Sequence, residues 1–475
     1  MHRRYLSLVL AVIFLTTLLA GCAPLPAPTP QVIEKVVEKV ITAPPPAPQV
    51  VEKIVTAPPQ VVEKTVEKKV EVVVTAIPKP LPKEAKIILR VGSGDSGEGL
   101  NPHQDIIAKF EAANPDILVQ LEAVAGDYYA RLLTQIAAGD APDLMQIGDD
   151  AVPMFVDKGA FVPLDSYITG KYPLDPKIYL PVTMQPGAYK GKQYFLPKDF
   201  TPLGVMYNKK IFDKYGVAYP KDGWTWDDML KTAQALTKDG IYGLQLPANW
   251  TSGFEYWVAA AGGKLISPDG KSYVGFMDSP EVIAAVQFYA DLYNKYKVAP
   301  PPADLNLWRG GNSEFDNGKA AMLLVGRWPQ AGLKKNPNVS LAVVTPPVGK
   351  AKANVLFWSG FGIFAGSKNP EAAWRFLRFY VGEEGSKVWK DWAIPPVASV
   401  AQAAGMYTDP IEGAWIKGLD SLANRAYVFT PFWGDTADPA LNKALQTVLI
   451  DPKADVATVM KNAAKEAQAA LDKKK

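Results

Sequence analysis

The chain has 475 residues, 48% of them hydrophobic, and 51 Lys and Arg against 48 Asp and Glu leave a formal net charge of +3. That near-balance gives no footing for a nucleic-acid partner. One cysteine and two histidines leave little for disulfides, thiol chemistry or a metal site. In chain order, Met1-His2-Arg3-Arg4 is a basic head, and Leu6 to Ala20 is apolar apart from Ser7, Thr16 and Thr17. With small residues after it, this reads as a secretory signal over residues 1–21. The apolar run is short for a membrane span, which takes ~20 residues.

Leu19-Ala20-Gly21-Cys22 resembles the lipobox of bacterial lipoproteins. The resemblance implies cleavage before Cys22 and acylation of its sulfur and new amino terminus, which together meet the two-signal condition for stable anchoring. Cys22 is then the lipidation site, and the mature body carries no thiol.

Residues 22–85 have thirteen prolines from Pro24 to Pro82, no glycine before Gly92 and no aromatic residue before Phe110. An imperfect repeat, Val-Val-Glu-Lys followed by Thr-Ala-Pro-Pro, runs through them. Prolines interrupt helices and ladders, and without large side chains no core offsets the ordering entropy. The segment therefore reads as an extended tether rather than a coiled coil, since the repeat period is four and not 3.5.

From residue 86 the chain alternates strand and helix. Lys86 to Val91 is β-rich and stops at Gly92-Ser93-Gly94. Asn101-Pro102 starts a helix with Ile106, Ile107 and Phe110 on one face. His103, in its first turn, is expected at the surface. Ile117 to Leu121 reads as strand, Asp127 to Ala138 as helix, and Asp143 to Ile147 as a buried strand. Ser279-Pro280-Glu281 and Asn369-Pro370-Glu371 open further helices, with cap, proline and acid in order. This is an α/β pattern with a mostly parallel sheet, and about 390 residues suit two lobes.

No catalytic set, Gly-rich phosphate loop or metal-ligand cluster stands out, so no catalytic residue, metal or cofactor is assigned. Carboxylates are numerous enough to keep a surface-anchored glycoside hydrolase as an alternative. The positive signal is aromatic: all twelve tryptophans follow residue 223, and Trp250, Trp328, Trp358 and Trp433 sit beside turn residues. Indoles cover the C–H face of a sugar ring, and neighbouring carboxylates or amides bind its hydroxyls.

Five blocks occur in order: GDAPDLMQIGDD (139–150), LPKDFTPLGVMYNKKIFDKYGV (196–217), PKDGWTWDDMLKTAQAL (220–236), FDNGKAAMLLVGRW (315–328) and GIFAGSKNPEAAWRFLRFYVG (362–382). Together they resemble the extracellular solute-binding proteins of family 1, the sugar-binding subunits of ABC importers similar to maltose-binding protein. The resemblance implies a type II periplasmic-binding-protein-like clamshell. Each lobe is a mixed, mostly parallel sheet flanked by helices, and crossing hinge strands join them. Lobe 1 takes 86–199 and 348–395, and lobe 2 takes 200–347 and 396–475, with crossings near Phe200, Pro346 and Pro396. It implies ligand contacts from Ser93, Asp95, Asp149, Asp150, Asp199, Trp250, Arg327, Trp328, Trp358, Ser359, Trp433 and Asp435. Ile147 stands where the family has an aromatic platform, which argues against a maltooligosaccharide. The implied partners are a carbohydrate, the permease subunits of an ABC importer and, through the lipid anchor, the outer face of the cytoplasmic membrane. A monomer that does not touch nucleic acid is expected. A glycerophosphodiester or polyol ligand is the other binding alternative.

Overall fold

The computed structural model describes residues 32–37, 50–55, 87–124, 126–248, 250–301 and 313–474. The signal segment, Cys22 and most of the expected tether lie outside them. The chain divides into two units, residues 1–74 and 75–475.

In the first unit, β1 (Val32–Val37) pairs antiparallel with β2 (Val50–Val55), Val32 opposite Val55. The ladder is short and ends before the prolines on either side, as expected from their interruptions. Each strand is one proline-free copy of the repeat, rich in the β-branched residues valine and isoleucine. The register sets Glu34 opposite Lys53 and Lys35 opposite Glu52.

The second unit holds two sheets. The first is built from β3 (Ile87–Ser93), β4 (Ile117–Ala123), β5 (Leu144–Gly148), β8 (Leu196–Pro202) and β12 (Leu356–Ile363), in the order β4-β3-β5-β12-β8. A small hairpin of β6 (Ala188–Tyr189) and β7 (Lys192–Gln193) precedes β8. The helices of this stretch are α1 (Asn101–Ala113), α2 (Tyr128–Ala137), α3 (Val152–Asp157), α4 (Asp165–Ile168) and α5 (Pro181–Met184). The second sheet is β9 (Gly204–Asn208) between β10 (Met322–Val325) and β11 (Leu341–Val344). Its helices are α6 (Lys209–Tyr215), α7 (Trp226–Leu236), α8 (Thr251–Ala260), α9 (Pro280–Asn294) and α10 (Gln330–Lys335). After β12 come α11 (Pro370–Val381), α12 (Glu383–Trp389), α13 (Ala398–Ala403), α14 (Pro410–Lys417), α15 (Trp433–Ile450) and α16 (Val456–Asp472). Among the described residues no helix is long and apolar enough to cross a membrane.

β3 runs parallel to β4 and β5, whereas β12 is antiparallel to both β5 and β8, and β9 is antiparallel to both its neighbours. The antiparallel share exceeds what strand–helix alternation implies. It comes from β12, which runs antiparallel between β5 and β8, and from β9, which runs antiparallel between β10 and β11. The chain leaves the first sheet between Pro202 and Gly204 and returns between Val344 and Leu356. Its last passage comes later than Pro396. Val397 and Val400 still pack with Leu89, Ile106 and Trp374, and α14 is the next helix to lie on β11.

Helix starts follow their sequence signals unevenly. Ser279 caps α9 by accepting from the Val282 N–H, whereas Asn369 makes no side-chain cap at α11. Ser367 Oγ instead accepts the Asn369 N–H. A middle core joins the sheets: Ile147, Phe195, Phe200, Met206, Leu323, Trp358 and Trp415 belong to one buried cluster. Ile147 lies fully inside it and offers no platform.

Candidate functional site

β3 and β5 are parallel and end at Ser93 and Gly148, and ligands of open α/β sheets bind beyond such carboxyl ends. Three groups of side chains gather in this region.

The first is a hydrogen-bonded ring. His103 Nε2 lies 2.7 Å from Asp95 Oδ2 and 3.2 Å from Ser93 Oγ, while the Tyr380 hydroxyl lies 2.9 Å from its Nδ1 and accepts from Trp389 Nε1 at 3.1 Å. Read as a network, Trp389 donates to Tyr380, Tyr380 to Nδ1, and Nε2–H to Asp95. This assigns a neutral tautomer. Ser93 donates to Gln146 Oε1 at 2.6 Å, and Ser359 to Asp199 Oδ1 at 2.7 Å. Lys198 Nζ closes the ring, 2.6 Å from Asp95 and 3.2 Å from Asp199, over the Trp389 ring. Ser93, His103 and Lys198 are buried. His103 is thus corrected from a surface residue: it starts its helix, but the helix lays its first turn on the sheet.

Burial pushes the Asp95 carboxyl up, but Lys198 and His103 outweigh it and hold it well below the usual carboxylate range. Burial likewise pushes His103 down, against the pull of Asp95. Burial lowers Lys198, yet Asp199 and Asp95 together raise it. The Asp95 and Asp199 side chains are 28% and 24% exposed. They are the points at which the ring's carboxylates reach solvent.

The second group is a buried charge triad. Arg425 Nη1 donates to Asp149 Oδ2 at 2.7 Å and Nε to Glu255 Oε1 at 3.0 Å, and the Tyr427 hydroxyl donates to Asp149 at 2.6 Å. Asp149 follows β5, Glu255 sits on α8, and Arg425 lies between α14 and α15. Arg425 Nη2 is buried without a partner, and the guanidinium lies 4.9 Å from the Phe357 and Tyr427 ring centres. Burial pushes Asp149 and Glu255 up, against the opposing effect of Arg425. A cavity of about 360 Å³ adjoins the triad, lined by Asp149, Tyr189, Leu356, Arg425 and Tyr427 among others.

The third group is aromatic. Trp250 stacks on Phe357 at 4.8 Å and 29°, and Trp328 stands edge-on to both, at 5.5 Å and 5.7 Å. Trp328 is 42% exposed. Gly326 makes room for it, since a Cβ there would come 2.1 Å from its ring. Phe357 links this group to Arg425.

Of the twelve expected contacts, Ser93, Asp95, Asp199 and Ser359 share the ring, Asp149 anchors the triad, and Trp250 and Trp328 form the aromatic group. Asp150 is exposed beside Asp149. The other four lie elsewhere. Trp358 is buried in the middle core, its indole N–H donating 2.7 Å to the Thr183 carbonyl. Strand alternation sends it to the face opposite Phe357 and Ser359. Trp433 is buried in the helical core, and Asp435 is exposed and paired with Lys474 at 2.9 Å. Arg327 turns away from Trp328 and forks onto Glu412 at 2.7 and 3.0 Å. These four positions place no side chain in the three groups. His103, Gln146, Lys198, Glu255, Phe357, Arg425 and Tyr427 were missed. Only Phe357 carried a signal, as an aromatic two residues before Ser359 on one strand face.

Two α/β lobes joined by passing strands, with polar and aromatic side chains at the strand ends, define a type II periplasmic-binding-protein fold. The model of the bacterial extracellular solute-binding protein family matches residues 95–387, and the chain belongs to that family of ABC-transporter binding proteins. The family consists of substrate-binding proteins rather than enzymes. The maltotriose-binding protein of Pyrococcus abyssi is 26% identical over 384 residues, 76% of this chain and 78% of the relative. The diacetylchitobiose-binding protein of Streptomyces coelicolor is 28% identical over 276 residues, 56% of this chain and 63% of the relative. The structure of an ABC substrate-binding protein of Listeria monocytogenes in complex with cycloalternan superposes with a TM-score of 0.74 at 27% identity, covering 82% of this chain and 99% of the other.

Proposed function

We propose that this protein captures a sugar or oligosaccharide between its lobes and hands it, unaltered, to an ABC permease from a lipid anchor at Cys22. The observation that carries this reading is the exposed Trp328 edge against the Trp250–Phe357 pair. An indole platform stands there in the same region as the carboxyl groups of Asp95 and Asp199. A pyranose needs both, a face to stack on and acceptors for its hydroxyls. The named relatives bind maltotriose, diacetylchitobiose and cycloalternan, all oligosaccharides, which supports the class. The named groups comprise five carboxylates, Asp95, Asp149, Asp150, Asp199 and Glu255, against two cations, Lys198 and Arg425. That balance disfavours a phosphodiester.

Lobe 1 takes 86–199 with the segment from about 348 through α13, and lobe 2 takes the rest of the body. Contacts to both lobes exist only in the closed form, so ligand shifts the population toward closure. The tether keeps body and permease at high local concentration. A thermal-shift screen over mono- and oligosaccharides, polyols and phosphodiesters tests the reading, because a ligand of the folded state raises the melting point by mass action. Stabilisation by phosphodiesters alone, or release of reducing ends from a bound glycan, would overturn it.

A further inference from the structure

We propose that a second cavity, of about 520 Å³, beside Glu412 binds a small tetrahedral oxyanion of the phosphate class. Arg327, Lys334, Lys335 and Lys390 line it, together with Asp391, Asp409 and Glu412. Arg327 is 3% exposed. Its Nε and Nη2 are taken by Glu412, and Nη2 also reaches the Lys390 carbonyl at 3.4 Å. Its Nη1 is buried without any partner. A desolvated guanidinium N–H left unpaired carries a penalty that an acceptor relieves, and Arg is suited to oxyanions in geometry as well as charge.

Of the carboxylates around it, Glu412 is the most heavily engaged. Glu412 accepts from Arg327, from Gln330 Nε2 at 2.7 Å and from Lys334 Nζ at 2.9 Å. Lys334 and Arg327 hold it below its usual range although burial pushes it up. Asp409 Oδ1 caps α14 through the N–H groups of Ile411 and Glu412. Asp391 lies 3.5 Å from Lys390. Four cations therefore face three carboxylates, with exposed Lys335 in excess and one buried donor of Arg327 without a partner. That combination accepts an anion.

The walls give the site a consequence. Arg327, Ala331, Lys334 and Lys335 follow β10 of the second sheet, while Lys390, Trp392 and Ala404 follow α12 and α13 beside the first. An anion held by both walls couples to any change in the angle between the sheets, and the coupling is reciprocal. Of the groups described at the crevice, none lines this cavity, so the inference does not rest on the sugar reading.

The test is titration of the full chain with inorganic phosphate at ionic strength fixed with chloride, read by calorimetry and by melting point. A saturable response is expected, weakened about three- to fivefold in Lys335→Gln and in Lys390→Gln, as for loss of one exposed charge partner, and unchanged in Lys443→Gln, whose partner is Glu466. These are surface lysines, so folding is not at stake as it is for Arg327→Gln. A sugar phosphate in a parallel arm separates the sources. If it competes with inorganic phosphate and suffers the same losses, the site takes esters too; if it does not compete, the site takes the free anion. No saturable phosphate response, or one equal in all variants, would overturn the proposal.

Discussion

Asp149 Oδ2 receives the Arg425 guanidinium at 2.7 Å although 276 residues separate the two in the chain. The pair ties the end of β5 in the first sheet to a loop that follows α14. Glu255 extends the tie to α8. Both members are almost fully buried.

Arg425→Met leaves Asp149 and Glu255 as buried carboxylates without a counter-charge. Breaking such a pair costs about 3–5 kcal/mol, whereas replacing all members by apolar residues is often near neutral. We expect the single variant to melt well below the parent. Arg425→Met combined with Asp149→Leu and Glu255→Leu should recover much of the loss. Calorimetry of the parent, the single and the triple variant checks this. An unshifted single variant would mean that water already solvates the triad.

Trp328 and Trp433 should behave in opposite ways. Trp328→Ala removes an exposed ring and should weaken sugar binding by about 1–2 kcal/mol while leaving stability almost unchanged. Trp433→Ala opens a core cavity and should lower stability by about 3–5 kcal/mol. Titration calorimetry with the best sugar, beside thermal melts, separates the two effects. Equal affinities in Trp328→Ala and the parent remove that ring from the site.

His103 is the one histidine beyond the amino-terminal head. Its folded pKa is depressed, so below its ordinary value of about 6.5 the unfolded chain binds a proton that the folded protein refuses. Stability therefore falls as pH drops below about 6.5, by at most ~1.4 kcal/mol per unit. Asp149 and Glu255, raised by burial, contribute with the opposite sign. The readout is thus the difference between parent and His103→Gln. Melts from pH 5 to 8 should show a flatter acid side in the variant, and parallel curves would mean that the imidazole titrates alike in both states.

Gly204 marks the first passage between sheets, where a Cβ would stand 2.5 Å from the Trp415 ring. Gly204→Ala should cost about 1–3 kcal/mol through overpacking. Denaturant melts test it, and a neutral result would mean that the indole shifts freely.

The order of strands and helices through residue 148 was legible because each element carried its own punctuation: Gly92 to Gly94, Pro102 and Pro142. Pairing direction was not, since β8 and β12 are recruited by long-range contacts that no local pattern records. Ser93, Asp95 and Asp149, implied by the resemblance, adjoin strand ends, whereas Asp199 lies in the middle of β8. The site was opaque at Arg425 and Lys198, ordinary cations whose burial depends on partners 276 and 103 residues away. Trp358 and Trp433 misled for the same reason: a neighbouring turn residue says nothing about which side of the backbone the ring takes.

The β1–β2 hairpin changes the span of the repeat segment. Stretched in a polyproline-like form, residues 32–55 would extend about 70 Å, whereas pairing brings Val32 and Val55 to ~5 Å apart. The repeat therefore stows length that a modest pull can release, so that this stretch of chain has two end-to-end spans, paired and drawn out.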